Sequence, residues 1–372
     1  MTANRFSQDC VEVALANLRA GRISRRSFLA ASAAAGAGAA AALSSGDLFA
    51  AGKPKQVVHA NWGGDAVRCT GDIYGKAFTA KYGVPVVVDG SGPLEGNIKA
   101  MVDAKNVTWD CCDSDFFSVL RLGRANELEA VDYSIVDRNG YMAPYTHDYG
   151  VLGYWYSYVM TWDTEKVGKN APSWADFFDV EKIPGKRTLF KYMNGAVEAA
   201  LLADGVPPEK IYPLDLDRGL AKIEKIKDHI VFWDSGAASQ QMFLDGEVVM
   251  GSLWQTRSQL IKQDTKGRVD WTFDQGNACP AGWLIPRGNP AGREWGNRWL
   301  ANLQTPELQL EVMRCYGQGP ANPKTYDIMS ADERAITPGT PENLKRQVPL
   351  SSEYFAKHYD DALNAFLDMI SA

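Results

Sequence analysis

The 372-residue chain predicts an α/β protein of two lobes, with mixed sheets, flanking helices and two hinge crossovers. Three observations predict it. Short unbroken apolar runs, such as residues 84–88, alternate with helical stretches, the pattern of parallel strands buried on both faces. The length exceeds what one hydrophobic core usually organises, and 45% apolar with 23% charged residues marks a globular chain. In residues 232–254 a strand, a polar turn, a helix and a second strand follow one another. That order sets Asp234 behind one strand and delivers Trp254 to the carboxyl end of the next, where open α/β sheets bind ligands. Asp234 or Ser235 is the expected cap of the intervening helix.

The elements follow in order. Residues 56–61 alternate towards a strand that ends at Trp62-Gly63-Gly64, and residues 73–82 have helical spacing. With the run at 84–88 they make a β-α-β unit. The glycine-rich stretch 90–96 precedes a helix at 97–104. It lacks the spacing of a dinucleotide fingerprint or a P-loop, so it reads as a connecting turn first and an anion nest second. Residues 109–116 form another short strand, which brings Ser114 and Phe116 to the same edge as Trp62. Residues 154–161 are a strand dense in aromatics, suited either to lining a groove or to packing an edge. A capped helix starts at Ser173, strands follow at 187–190, 248–250 and 269–273, and helices at 194–203 and 217–229. Residues 278–286 form an apolar passage able to re-enter the first lobe. Helices at 291–303 and 306–315, a long loop at 339–349 that carries Gln347, and an amphipathic tail at 353–370 complete the chain. The expected lobes are 55–157 plus 280–326, and 158–279 plus 327–372.

The front of the chain reads as an address. Ser24-Arg25-Arg26-Ser27-Phe28-Leu29 and the mild Ala/Gly-rich run behind it resemble a twin-arginine export signal, too short and too weakly apolar for a membrane span. The resemblance implies passage through the Tat translocase, removal of residues 1–51 and a periplasmic mature protein. Five cysteines then remain, an odd number that leaves at least one thiol unpaired within the chain. Adjacent Cys111 and Cys112 read as packed thiols.

Net charge argues against nucleic acid. The formal charge of -6 becomes -8 once the first fifty residues, with five Arg and three acids, are set aside. No C-x-x-C pair, H-E-x-x-H, nucleophile elbow or Gly-Lys-Ser/Thr occurs, so neither a catalytic residue, a metal site nor a cofactor is expected.

Asn61-Trp62, Ser173-Trp174-Ala175-Asp176, Asp245-Gly246-Glu247-Val248 leading to Trp254, Leu284-Ile285-Pro286 before Asn289-Pro290, and Gly319-Pro320-Ala321-Asn322-Pro323 resemble, in this order, the spermidine/putrescine-binding proteins of ABC importers. The resemblance covers nearly all of the chain behind the signal. It implies the two-lobed periplasmic binding protein fold, a monomer that closes on its ligand, and a permease in the inner membrane as partner. Trp62, Ser114, Phe116, Trp254 and Gln347 match ligand-contact positions, and Asp234 is added from the strand-end reading. Residues 191–195 offer no carboxylate, and Cys279, Pro280 and Ala281 stand where an aromatic and an Asp are expected. Asp65, Asp113, Asp115 and Asp234 are the acids available near strand ends. The leading expectation is therefore a polyamine receptor. The second keeps the fold and holds a small carboxylate or phosphonate on the 90–96 loop, and the third is a Tat-exported periplasmic enzyme.

Overall fold

The computed structural model describes residues 52–142 and 145–372. The export-type segment 1–51 lies outside them. One mixed sheet organises the chain, in the order β2-β1-β3-β9-β5-β8-β6-β7. Strands β1 (Val57–Ala60), β2 (Val86–Asp89) and β3 (Cys111–Asp115) are parallel to one another, as are β6 (Lys186–Phe190), β7 (Ile230–Trp233) and β8 (Val248–Trp254). Between these triplets run two long antiparallel strands, β5 (Gly150–Asp163) and β9 (Val269–Leu284). Short strands β4 (Thr146–His147), β10 (Gly319–Pro320) and β11 (Val348–Pro349) pair with β5 or β9.

The passages expected at 269–273 and 278–286 are thus one 16-residue strand. Its middle, Asn277-Ala278-Cys279-Pro280-Ala281, has no charge to break it, and Pro280 costs no extra bend because the β5 register is continuous from Tyr154 to Tyr158. The helix expected at 73–82 starts earlier, as segments Asp65–Cys69 and Lys76–Tyr82 joined by a wide turn at Thr70–Gly75; we call it α1. Further helices are α2 (Glu95–Asp103), α3 (Phe116–Arg124), α4 (Trp174–Phe178), α5 (Ala196–Ala203), α6 (Leu216–Glu224), α7 (Gly236–Leu244) and α8 (Gln255–Asp264). The polar stretch behind Trp254, with no apolar stripe to announce it, is helix α8. In the second half come α9 (Arg293–Leu303), α10 (Pro306–Tyr316), α11 (Pro323–Asp327), α12 (Ala331–Ala335), α13 (Pro341–Leu344) and α14 (Ser352–Ser371). The 339–349 loop is shorter than expected, since α13 and β11 occupy most of it.

Two large apolar clusters flank the middle of the long strands. One gathers Val57, Phe78, Trp155, Trp283 and Trp299, and the other Tyr158, Trp174, Phe177, Trp233 and Phe366. Residues behind 326 are shared. Met329 packs with Leu310 and Met313, Leu344 against the first cluster, and Phe355 and Phe366 within the second. Cys69 of α1 and Cys315 of α10 form a disulfide across 246 residues, while Cys111, Cys112 and Cys279 are buried thiols. Closing so long a loop restricts the unfolded chain. The variant Cys69→Ser/Cys315→Ser is expected to lose about 2–4 kcal/mol of stability, read as a lower urea midpoint than the oxidised parent.

Candidate functional site

Both triplets reverse strand order at one point. In β2-β1-β3 the reversal falls between β1 and β3, and in β7-β6-β8 between β6 and β8. Crevices open at the carboxyl ends of strands at such points. Trp62 follows β1, Asp115 ends β3, Tyr192 follows β6 and Trp254 ends β8. The long strands lie between them. Register puts Asp115, Ala281 and Tyr154 in one row, and Cys279 opposite Tyr156 in a neighbouring row of the same face. Large polar-tipped side chains therefore stand on either side of the small Ala281 and Cys279.

The tyrosines of β5 make the floor. Tyr154, Tyr156 and Tyr158 alternate onto one face, with ring centres 6.4 and 5.8 Å apart. Burial pushes the Tyr154 phenol well up, Asp113 adds to it, and the Trp62 side chain at its hydroxyl pulls the other way. At the far end Tyr158 packs on Phe190 at 5.8 Å, and Phe190 on Trp254 at 5.7 Å and Tyr192 at 5.1 Å. Trp62 and Trp254 thus stand at opposite ends of one aromatic floor. Trp62 is 45% exposed, unusual for an indole and consistent with a face kept for a ligand.

The other sequence-derived positions divide. Ser114 is buried in the row of Gly282 and Leu152, on the face away from Asp115. Phe116 opens α3 rather than extending β3, and its buried ring meets Tyr145 edge-on at 5.2 Å. Both are structural in this arrangement, because the strand stops at Asp115 and the alternation places that residue, not its neighbours, on the tyrosine face. Asp234 is exposed and paired with Lys191 at 3.1 Å. The cap of α7 is Ser235, whose hydroxyl accepts from the Ala238 N–H. Gln347 is buried, its amide N–H₂ donating to the carbonyls of Pro338 and Asn343. Among the other acids, Asp113 is locked in the core by His59 and Trp283, and Asp65 pairs at the surface with Arg68. In the 90–96 loop the N–H groups of Ser91, Gly92 and Leu94 are spent on Asp89, Asn61 and Gly92 itself. Gly92 lies against the Trp62 ring, so this loop braces the indole.

Two charged residues complete the crevice. Arg257, in the first turn of α8, makes no ion pair among the described residues, and its guanidinium reaches from Gly236 at the start of α7 to Gly64 beside Trp62. A Cβ on Gly236 would meet its Nε at 2.5 Å and one on Gly64 its Nη2 at 3.6 Å. A free guanidinium beside a helix N-terminus is an anion-binding arrangement. Asp115 accepts a hydrogen bond from the Tyr156 hydroxyl at 2.5 Å. Burial pushes its carboxyl up to about 6 against that hydrogen bond, and the Glu95 charge adds to the rise. Asn61 Nδ2, Asn194 Oδ1, Trp254 Nε1 and Gln255 Oε1 are buried without partners, each just behind or at a strand end that faces the crevice. Orphans of this kind cost about 1–3 kcal/mol apiece unless something pairs them. Arg257 gave no sequence signal, since the helix carrying it has no apolar stripe; its spacing of three from Trp254 was the available clue.

With this geometry the chain can be compared with known proteins. Residues 74–337 match the family described as bacterial extracellular solute-binding protein, and the chain belongs to that family. It is 28% identical over 313 residues to the gamma-aminobutyric acid-binding protein of Pseudomonas aeruginosa, covering 82% of this chain and 88% of that one. Among solved structures it resembles the Atu4243 GABA receptor, with TM-score 0.78 and 30% identity over 85% of this chain and 97% of that one. It also resembles the binding protein MotA of A. tumefaciens B6 in complex with glucopine, with TM-score 0.78 and 29% identity over 84% and 99%. The fold is accordingly the α/β fold of periplasmic binding proteins, and the chain is the solute-binding component of an ABC transporter. Among the described residues no helix is long and apolar enough to cross a membrane.

Proposed function

We propose that the protein is a periplasmic receptor that captures a small carboxylate-bearing solute of the GABA type and presents it to an inner-membrane permease. One observation carries the reading: Arg257 stands between Gly64 and Gly236, without an ion pair among the described residues, at the end of an aromatic floor. A polyamine carries only positive charge and would meet a guanidinium as a repulsive neighbour, whereas a carboxylate gains a bidentate, charge-assisted pair there. The relatives that bind GABA and glucopine support the same choice. The lobes follow the sequence reading up to residue 326, with the residues behind it shared between the two, and are hinged on β5 and β9, with Trp62 and Trp254 stacking on the ligand stem. Export follows the twin-arginine route and the receptor acts as a monomer.

Calorimetric titration of the processed protein with GABA, butyrate, succinate, methylphosphonate, putrescine and spermidine tests it. Heat with one or more carboxylates supports the proposal. Heat with putrescine or spermidine alone restores the polyamine reading and overturns this one. A second measurement uses the glycine under Arg257. In Gly236→Ala the new methyl pushes the guanidinium aside while the strands keep their packing. Carboxylate affinity is expected to fall about tenfold, with an unchanged melting temperature, because only the far end of a flexible side chain has to move.

A further inference from the structure

We infer that Asp115, held by Tyr156, is the cation-accepting end of the crevice and makes the receptor select amino carboxylates over plain carboxylates. The inference rests on Arg257 taking the carboxylate. Asp115 is the one acid of those near the strand ends that is half-buried, on the tyrosine face and without a cationic partner among the described residues. Asp113 and Asp65 are spent, Asp234 is paired outside, and Glu198 caps α5 and accepts from Tyr212. Arg121, the nearest cation on α3, is occupied by Glu95 and Asp360. The Tyr156 hydroxyl fixes one carboxylate oxygen and leaves the other free to accept from an ammonium. Ala281, between Asp115 and Tyr154, is the smallest side chain of that row. The tyrosine rings of β5 at this end add cation–π attraction.

A proton competes with the ligand for Asp115. Burial holds its carboxyl up at about 6, in surroundings made of Glu95 on α2, Tyr154, Tyr156 and Tyr158 on β5, Cys279 on β9 and Tyr359 on α14, while Arg121 on α3 faces Glu95, Asp360 and Tyr359. Below that value the neutral acid loses its attraction for an ammonium. GABA affinity should then weaken by about tenfold per pH unit, the limit for uptake of one proton. Butyrate, which has no ammonium, should show no such loss.

The test is calorimetry with GABA and butyrate on the parent, Asp115→Asn, Tyr156→Phe and Arg257→Ala between pH 5 and 8. Asp115→Asn is expected to weaken GABA at least tenfold at pH 8, to flatten its pH profile and to leave butyrate within twofold. Tyr156→Phe removes the hydrogen bond that favours the ionised carboxylate, so the midpoint of the GABA profile should move above 6 even if the Asn variant folds poorly. GABA affinity within twofold of the parent in Asp115→Asn overturns the inference. If Arg257→Ala still abolishes binding in that case, the carboxylate receptor survives without it. A parent that binds succinate or butyrate as tightly as GABA also overturns selectivity by Asp115. Binding of putrescine alone overturns the reading beneath it.

Discussion

Replacing Arg257 with alanine is expected to weaken carboxylate binding by about 100-fold or more, on the order of 3 kcal/mol, with no change in melting temperature. The size follows from what the guanidinium does. It bridges two elements that the chain brings together only in the folded state, the Trp62–Gly64 turn behind β1 and the start of α7, and it lacks an internal counter-charge among the described residues. A carboxylate placed there receives two parallel N–H donors and the positive end of a helix of nine residues. Without the guanidinium the anion loses its principal partner in a crevice walled by indole and phenol rings. Arg257→Lys should recover only part of the loss, since an ammonium is a point charge that cannot form the paired contact. Stability should be spared because no group among the described residues hydrogen-bonds or ion-pairs with Arg257. Titration at fixed ionic strength reads the effect, and an Arg257→Ala protein that binds every carboxylate like its parent would falsify the assignment.

The fold was open to reading because its signals are local and repeated. Apolar runs of four or five residues, turn glycines and the Ser173 capping box each act within a few residues of chain, and the α/β alternation they spell leaves few topologies. The long strands were harder. Asp274, Gln275 and Gly276 look like a turn, yet they sit inside β9 as its exposed or irregular middle, with Gln275 at positive φ. Trp62 and Trp254 stand out in the sequence because each is an indole at a strand end, and the structure puts both beside the tyrosines of β5. Ser114 and Phe116 were misplaced by one position. The decision between them and Asp115 depends on where β3 stops and which face its register gives to Tyr156, and that is a contact between residues 41 apart in sequence. Arg257 was invisible for a related reason: it matters through Gly64 and Gly236, and no helical or strand period connects three such distant residues. Net charge is a property of the whole surface and does not report the charges near the strand ends, where Arg257 lies.

Arg187→Met is expected to destabilise the protein by about 3–5 kcal/mol while leaving the affinity of the folded molecules for ligand unchanged. Arg187 lies on β6 and is fully buried. No carboxylate pairs with it among the described residues. Its guanidinium instead donates to four carbonyls in the preceding turn, from Nε to Phe177 at 2.9 Å, from Nη2 to Asp179 at 3.1 Å and Ile183 at 2.5 Å, and from Nη1 to Gly185 at 2.5 Å. The turn wraps a cation as a chelator wraps a metal. Burial pulls the guanidinium below its usual pKa, with Asp179 opposing, yet it stays charged at any working pH. Methionine matches the stem but satisfies none of the carbonyls, and each orphaned one costs about 1–3 kcal/mol unless water enters. Lysine keeps the charge with three donors on one atom, too few and too close together to span the loop, so Arg187→Lys should fall between. Urea denaturation followed by tryptophan fluorescence separates the three proteins. Midpoints of Arg187→Met and parent within the error of one experiment would show that the turn closes without its cation. The ligand site should not register the change, because β6 reaches the crevice only through Phe190 and Tyr192 at its far end.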